Sequence, residues 1–467
     1  MAMKKTKIVA TISGKTSNVA FLKALYEAGV NVVRLNTAHL TLQEALKVIE
    51  EVRSVSEKIA ILIDTKGPEV RTVGVKVPIR FAKGEFIFMT GNAGEVKERT
   101  VQVSYPHFVR DVPVGSRVLI DDGEVELCVH SKNANCLELV AMHDGIILDK
   151  KSVNVPGVNL NLPSLSEKDN MFIHFAIEQH LDFIAHSFVR NKKDVFAIQR
   201  ILDYYQSPIK IIAKIENQEG VERLDEILEH VYGVMVARGD LAIEIDAEKV
   251  PRIQRMIVHA CIERKKPVII ATQMLHTMIE HPHPTRAEVG DIACAVYSGT
   301  DAVMLSGETA NGAYPLEAVK VMAKVVEANE SVLPIHLEKE QERICNETTA
   351  ALAQAVIKIS TMLPIKAIVI DTRAGKTARY LSAFRGGVPI YARCYEPHVM
   401  RELALSYGVE PYFASQTGFM CDIARFLLNE GYQPEDLILV AGKSFEYVQE
   451  SSFLVICKVG EMEQREE

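Results

Sequence analysis

Lys214 and Glu216 sit two apart at the end of "KIIAKIENQEG" (210–220), a run that is apolar until they close it. In a strand, residues two apart share a face, so an ammonium and a carboxylate would point the same way from an otherwise buried element. Other apolar runs end in polar residues too: Arg34 and Asn36, Asp64 and Lys66, Arg238 and Asp240, Thr272, and Ser306. Glu216 and Asp240 come from consecutive runs, so their carboxylates could share one hard divalent ion, with waters and substrate oxygens completing an octahedron. Lys214 and Arg34 would add cations beside that ion, which suits a strongly anionic ligand. A metal plus clamping cations is the equipment of phosphoryl transfer, where positioning and charge stabilisation are most of the catalysis. One charged strand end is ordinarily a solvated edge, but six polar ends in one fold, four of them charged, weaken that explanation. "VARGDLAIEI" adds Gly239, whose bare backbone lets a ligand approach, and turn N–H groups able to hold a carboxylate or phosphate. By itself an R-G-D turn is as often a plain surface loop.

The elements that must position these residues follow from hydrophobic patterning. Short β-branched runs recur at "KIVATI" (7–12), "NVVRLN" (31–36), "IAILIDT" (59–65), "DFIAHSF" (182–188), "KIIAKIE" (210–216), "YGVMVAR" (232–238), "PVIIATQ" (267–273) and "DAVMLSG" (301–307). Near-continuous apolar strands alternating with amphipathic helices mean parallel strands covered on both faces. Eight such units predict a (β/α)8 barrel, whose strand C-termini gather the chemistry at one end. Between the third and fourth runs, residues 69–162 change to short alternating strands with Gly and Pro turns, an antiparallel insertion read as a small β-barrel. Helical periodicity resumes at "SLSEKDNMFIHFAIEQ", with Ser166 placed to cap it. The barrel is thus residues 1–68 and 163–335. A charged segment, "HLEKEQERICNE", then divides it from an α/β domain over 336–467, read as helix "TTAALAQAVIKIS", strand "KAIVIDT", helix "KTARYLSAF", strand "PIYARC", helix "HVMRELALSYG", helix "DIARFLLNEG" and strands "DLILVAG" and "FLVICKV".

Bulk composition sets the class. The chain has 467 residues, 48% hydrophobic and 24% charged, as in a globular protein of several domains. A net charge of −8 excludes a nucleic-acid partner held by general electrostatics. Eight scattered cysteines without C-x-x-C spacing read as thiols of a reducing compartment, not as a disulfide frame or zinc site. The start, "MAMKKTKIVATIS", is too polar for a secretory segment, and no run reaches the roughly 20 apolar residues of a membrane helix. The expectation is a cytoplasmic protein without a membrane anchor.

The motifs now on the page resemble pyruvate kinase. The matching stretches are "VRLNTAHL", "DTKGPEVRT", "VLIDDGEVEL", "NVPGVNLNLPSLSEKD", "SFVR", "IIAKIENQEGV", "GVMVARGDLAIEI", "IATQML", "PTRAEV" and "VMLSGETANGAYPLEAV". The resemblance spans the barrel, the insertion and, more loosely, the C-terminal domain. It implies Glu216 and Asp240 as ligands of Mg2+ or Mn2+, Lys214 on the phosphoryl group in flight, and Arg34 on the phosphate of phosphoenolpyruvate. Gly239 and Asp240 N–H groups with Thr272 would hold the substrate carboxylate, and Thr272 and Ser306 would lie near the route that protonates the enolate. Asn36, His39, Arg71 and Lys151 would face the phosphates of ADP or ATP, and Asn36, Asp64 and Thr65 would form a K+ site. The insertion would close as a lid. The implied assembly is a homotetramer, and the implied reaction yields pyruvate.

Some stretches depart from the family. Its usual N-F-S-H is N-T-A-H here, so Ala38 stands where a serine hydroxyl ligates K+, although Glu69 still matches the K+-requiring branch. The expectation is a weakened K+ site. "SGKTSN" (13–18) and "DTRAGKTARYLS" (371–382) both lack the first glycine of a phosphate-binding P-loop, at Val9 and Ile370. The second lies between a strand and a helix start, where the family holds an allosteric sugar phosphate. Arg373 and Ala374 dilute that loop, and "KSFEYVQESSF" replaces a glycine-rich closing loop, which disfavours fructose 1,6-bisphosphate but leaves another sugar phosphate or a nucleotide open. His276, His281 and His283 fall in a proline-broken loop and read as structural. Two other readings compete: a metal-dependent aldolase or lyase of pyruvate-like substrates, which leaves the insertion and Arg71 unexplained, and a degenerate kinase that only senses metabolites, which the presence of Lys214, Glu216 and Asp240 opposes.

Overall fold

The computed structural model describes residues 4–91, 99–330, 348–414, 419–443 and 452–465. Residues 336–347, with the dividing segment, and most of "KSFEYVQESSF" lie outside them. The eight predicted runs form a closed, all-parallel barrel: Lys7–Thr11, Val32–Asn36, Ala60–Asp64, Phe183–His186, Lys210–Ile215, Gly233–Ala237, Val268–Ala271 and Ala302–Leu305. Closure comes from pairing of the first strand with the eighth, Lys7 opposite Ala302. The surrounding helices begin at the polar residues that can satisfy their free N–H groups. Thr41, Ser166 and Thr285 each make a capping box, with Glu44, Asp169 and Glu288.

Side-chain alternation splits the strands into two apolar layers. Ile8, Val33, Ile61, Ile63, Ile184 and Ile211 face the helices, while Val9, Val32, Ala60, Leu62, Phe183, Ala185, Ile212 and Met235 fill the barrel's interior. Each fully buried Val, Leu or Ile contributes about 1.5–3 kcal/mol, so this two-sided burial fixes the register. Four interior rows end in polar residues because the period is two: Val32 leads to Arg34, Leu62 to Asp64, Ala185 to Ser187, and Ile212 to Lys214 and Glu216. The barrel's upper layer is therefore ionic.

The insertion departs from the antiparallel expectation at one place. Its seven-stranded sheet is antiparallel except where Phe86–Thr90 runs parallel to Thr100–Val103. The second of these strands also pairs with Thr72–Val73, so the chain crosses over instead of turning back as a hairpin. Gly91 makes the crossing possible, since a Cβ there would lie 2.3 Å from the Tyr105 carbonyl oxygen. A bridge between Arg71 and Ser152 brings the two ends of the sheet together into a nearly closed barrel.

The C-terminal domain is a five-stranded sheet flanked by helices, with one strand that the sequence reading missed. Val409–Phe413 forms an edge of the sheet, the position that tolerates Pro411. The helix expected over "HVMRELALSYG" is shorter, Pro397–Glu402. The turn after it places Ala404 and Leu405 in the same cluster as Val9, Val32 and Phe183, so the C-terminal domain plugs the lower mouth of the barrel. Arg385 locks that junction with 2.7 and 3.0 Å bonds to the buried Asp301, and Arg401 reaches Asp182 at 2.6 Å. Among the described residues, no helix is long and apolar enough to cross a membrane.

Candidate active site

The ends of five strands deliver one buried polar network to the upper mouth of the barrel. Arg34 Nε donates to Asp64 Oδ2 at 2.7 Å, and its Nη1 donates to Thr11 Oγ1 at 3.0 Å. Lys214 Nζ lies 3.1 Å from Asp64 Oδ1 and 2.9 Å from Glu216 Oε1, and donates to Ser187 Oγ at 2.8 Å. Ser187 passes its own proton between the Thr65 carbonyl, at 2.6 Å, and Asp64 Oδ1, at 3.2 Å. Glu216 is fully buried, and the Phe188 N–H donates to its Oε2 at 2.7 Å. Its other oxygen, Oε1, has the Lys214 ammonium alone as partner, and Lys214 is shared with Asp64.

The charges in this network are unequal in comfort. Burial opposes charge on Asp64, but Arg34 and Lys214 outweigh it and hold the carboxyl below its ordinary range. Burial likewise opposes the Lys214 ammonium, and Asp64 and Glu216 overcome it and raise its pKa. Because Lys214 is shared between two carboxylates, it does not fully compensate Glu216. Burial, helped by repulsion from Asp240, pushes the Glu216 carboxyl up to about 7 against the pull of Lys214. Two cations, Arg34 and Lys214, thus face three carboxylates, Asp64, Glu216 and Asp240. A buried, under-compensated carboxylate beside a second one fits a Mg2+ or Mn2+ ligand set.

The remaining strand ends complete the rim. Asp240 lies in the first turn of helix Arg238–Glu244. The Gly239 N–H donates to Thr272 Oγ1 at 2.8 Å, and that hydroxyl donates to the Ala271 carbonyl at 2.7 Å. Thr272 sits at φ 69° and Gln273 at φ 54°, left-handed conformations costly for non-glycine residues and concentrated at functional sites. Arg238 holds this strained turn: Nη2 donates to the Thr272 carbonyl at 2.6 Å while Nη1 is anchored on Asp291 at 2.7 Å. The buried Glu308 does the same for Ser306, accepting its N–H at 2.8 Å and that of Leu275 at 3.0 Å.

On the other side, Arg71 is paired with Glu69 at 2.6 Å and donates to the Lys150 carbonyl at 2.7 Å, while Lys151 reaches Asp121 at 2.8 Å. The closing bridge of the insertion brings Arg71 and Lys151 together. Asn36 and His39 belong to the loop after the second barrel strand. Asn36 Oδ1 accepts the Ala38 N–H at 3.1 Å, and His39 is exposed. No hydrogen bond joins the two pairs among the described residues. Around the expected K+ position, the Ala38 side chain offers no oxygen, the Ala38 carbonyl accepts from Lys168 Nζ at 3.2 Å, and the Thr65 carbonyl already accepts from Ser187.

Comparison with known proteins agrees with this geometry. The family model "Pyruvate kinase, barrel domain" matches residues 3–319, and "Pyruvate kinase, alpha/beta domain" matches 350–457. The chain belongs to the pyruvate kinase family. It is 46% identical over 452 residues to the pyruvate kinase of Borreliella burgdorferi, covering 95% of this chain and 94% of that one. Identity to the Geobacillus stearothermophilus pyruvate kinase is 42%, over 90% of this chain and 74% of that protein, and to the Bacillus licheniformis one 44%, over 87% and 71%.

Sequence reasoning about this pyruvate kinase family member missed the residues that hold others in place. Ser187, Phe188 and Glu308 touch the predicted site residues directly, yet only parity along the interior row, for Ser187, could have pointed to one of them; Arg238 is visible at a strand end, but its hold on the Thr272 carbonyl is not. Just below Ser187, His186 is fully buried, and neither ring nitrogen makes a hydrogen bond of ordinary geometry. Burial lowers its pKa to about 4, overriding Asp194 and Asp169, which pull the other way. The unfolded chain protonates this imidazole near 6.5 and the folded chain resists, so its contribution is intact above about pH 6.5 and drains as pH falls toward 4. In urea unfolding, the stability of wild type relative to His186→Leu should fall between pH 6.5 and 5 by up to about 1.4 kcal/mol per pH unit. A pH-independent difference would show that the imidazole is not held neutral.

Proposed function

We propose that the protein transfers the phosphoryl group of phosphoenolpyruvate to ADP, giving pyruvate and ATP as the last step of glycolysis. The observation that carries this reading is the buried row of Arg34, Asp64, Lys214 and Glu216 at the barrel mouth, with Glu216 Oε1 held only by the Lys214 ammonium that Asp64 also claims. Arg34, fixed in direction by Asp64, grips the substrate phosphate. Lys214, kept charged by two carboxylates, faces the phosphoryl group as it moves, where a preformed cation needs no reorganisation. The Gly239 and Asp240 N–H groups hold the substrate carboxylate. Because Thr272 Oγ1 occupies the Gly239 donor at 2.8 Å, carboxylate binding turns that hydroxyl toward the reacting carbon, with Ser306 beside it. A Mg2+ or Mn2+ held by Glu216 and Asp240 would supply stabilisation of the developing enolate charge. Protonation of the enolate to the ketone drives the reaction.

Asn36, His39, Arg71 and Lys151 take the nucleotide phosphates, and the insertion, read as residues 69–162, closes over them and excludes water. The protein works in the cytoplasm as a homotetramer. The loop at 371–376 takes a sugar phosphate or nucleotide effector: Gly375, at φ 69°, donates its N–H to Thr372 Oγ1 at 2.9 Å and starts the following helix. The K+ site formed by Asn36, Asp64 and Thr65 is weak because Ala38 contributes no ligand.

Two measurements test the reading. In a coupled assay with phosphoenolpyruvate and ADP, wild type turns over and Lys214→Met loses at least about 10²–10³-fold in kcat while keeping its divalent-ion affinity. Retained turnover in Lys214→Met removes the phosphoryl role. Separately, Ala38→Ser should lower the K+ concentration for half-maximal rate, and an unchanged K+ profile would show that Ala38 is not at the site.

A further inference from the structure

The two segments that connect the insertion to the barrel rest on one loop. On the way out, Gly67, at φ 71°, presses so closely on residues 187–190 that a Cβ there would lie 2.7 Å from Ser187 Cβ and 2.9 Å from Phe188 Cδ2. On the way back, the carbonyls of Leu160 and Leu162 accept from Arg190 Nη1 at 3.2 Å and Nη2 at 3.0 Å. Asp194 holds the same guanidinium from behind, accepting from Nε and from Nη2 at 3.0 Å each, and also accepts the Arg190 backbone N–H at 3.0 Å. Asp194 is itself buried in the first turn of helix Lys192–Tyr204. A planar fork gripped on one edge has no freedom left to swivel, so the two carbonyls are held at a fixed place.

The opposite side of this loop is fixed to Glu216. Phe188, held at φ 54°, gives its N–H to Glu216 Oε2 at 2.7 Å. The Val189 carbonyl accepts from Asn217 Nδ2 at 3.4 Å, and Gly220 packs against it so tightly that a Cβ would stand 2.5 Å away. Four consecutive residues therefore touch both connections of the insertion and the loop that carries Glu216.

We infer that residues 187–190 are the fulcrum of the insertion, and that Arg190 is a positioning residue that ties the angle of the insertion to the orientation of Glu216. This rests on the reading in which the insertion is a lid and Glu216 holds the divalent ion. Movement of the returning segment pulls on Arg190, and the loop passes the displacement to the Phe188 N–H and so to the carboxylate. Arg190 takes no part in the chemistry itself.

The test uses Arg190→Met and Arg190→Lys in the full chain. Lysine keeps the charge but cannot bridge two carbonyls and two carboxylate oxygens at once. Hydrogen exchange should speed at least about tenfold across residues 155–162 in both variants and stay unchanged in the C-terminal sheet. Mn2+ affinity, followed by electron paramagnetic resonance, should weaken in both. kcat should fall on the order of 10²-fold, as for a misplacement of about 1 Å, with a much smaller change in KM for phosphoenolpyruvate. Unchanged exchange at 155–162 in Arg190→Met overturns the proposal. So does faster exchange with wild-type Mn2+ affinity, or full rescue by lysine. If wild type itself fails to turn over phosphoenolpyruvate, the functional reading falls while exchange and Mn2+ binding still decide the fulcrum. Should Arg190→Met not fold, Arg190→Lys and Asp194→Asn carry the same readouts.

Discussion

Taking charges out of water costs several kcal/mol per ion unless partners and hydrogen bonds make up the loss, and the upper layer of this barrel does so four times. Arg34, Asp64, Lys214 and Glu216 are each under a tenth exposed. Ion pairing settles three of them fully. The fourth, Glu216, has only a share of Lys214 on one oxygen, and Asp240 repels it. Counting Arg34 and Lys214 against Asp64, Glu216 and Asp240, the mouth of the barrel is one positive charge short. A divalent ion would reverse that sign and leave a site complementary to an anion. The network is built to be completed from outside.

The rest of the molecule makes such a layer tolerable. Interior residues alternate along every strand, so the ionic row stands directly on an apolar column that cannot shift by one residue without turning charges into the helix layer. Leu405 and Ala404 close the lower end of that column, which makes the C-terminal domain part of the barrel's core. Above the layer, the insertion is attached through two connections that press on the same four residues that feed an N–H to Glu216. The insertion's two connections, Glu216 and Lys214 thus share one short loop.

Much of this was legible in the sequence because it rests on period. The spacing of Lys214 and Glu216 put them on one face, and eight apolar runs gave the barrel that collects them with Arg34 and Asp64. What stayed hidden depends on contacts between distant segments. Ser187 looks like any serine until its hydroxyl is seen between Asp64, Thr65 and Lys214. Arg238 was visible at a strand end, but its grip on the Thr272 carbonyl depends on an unexpected left-handed turn. The stretch "RELALSYG" has helical spacing, yet its second half is the plug, because burial in the barrel outweighs local propensity. Pro411 disguised an edge strand, and the parallel pair in the insertion follows from a partner strand far back in the chain.

Direct titration of the incomplete charge layer decides the account. Mn2+ binding measured by electron paramagnetic resonance on the full chain should give one site per chain in wild type. Glu216→Gln, which keeps the volume and removes the under-compensated charge, should weaken that site at least about tenfold without a loss of fold. Equal affinity in wild type and Glu216→Gln would contradict it, because the buried carboxylate would then be structural and not the group that calls in the metal.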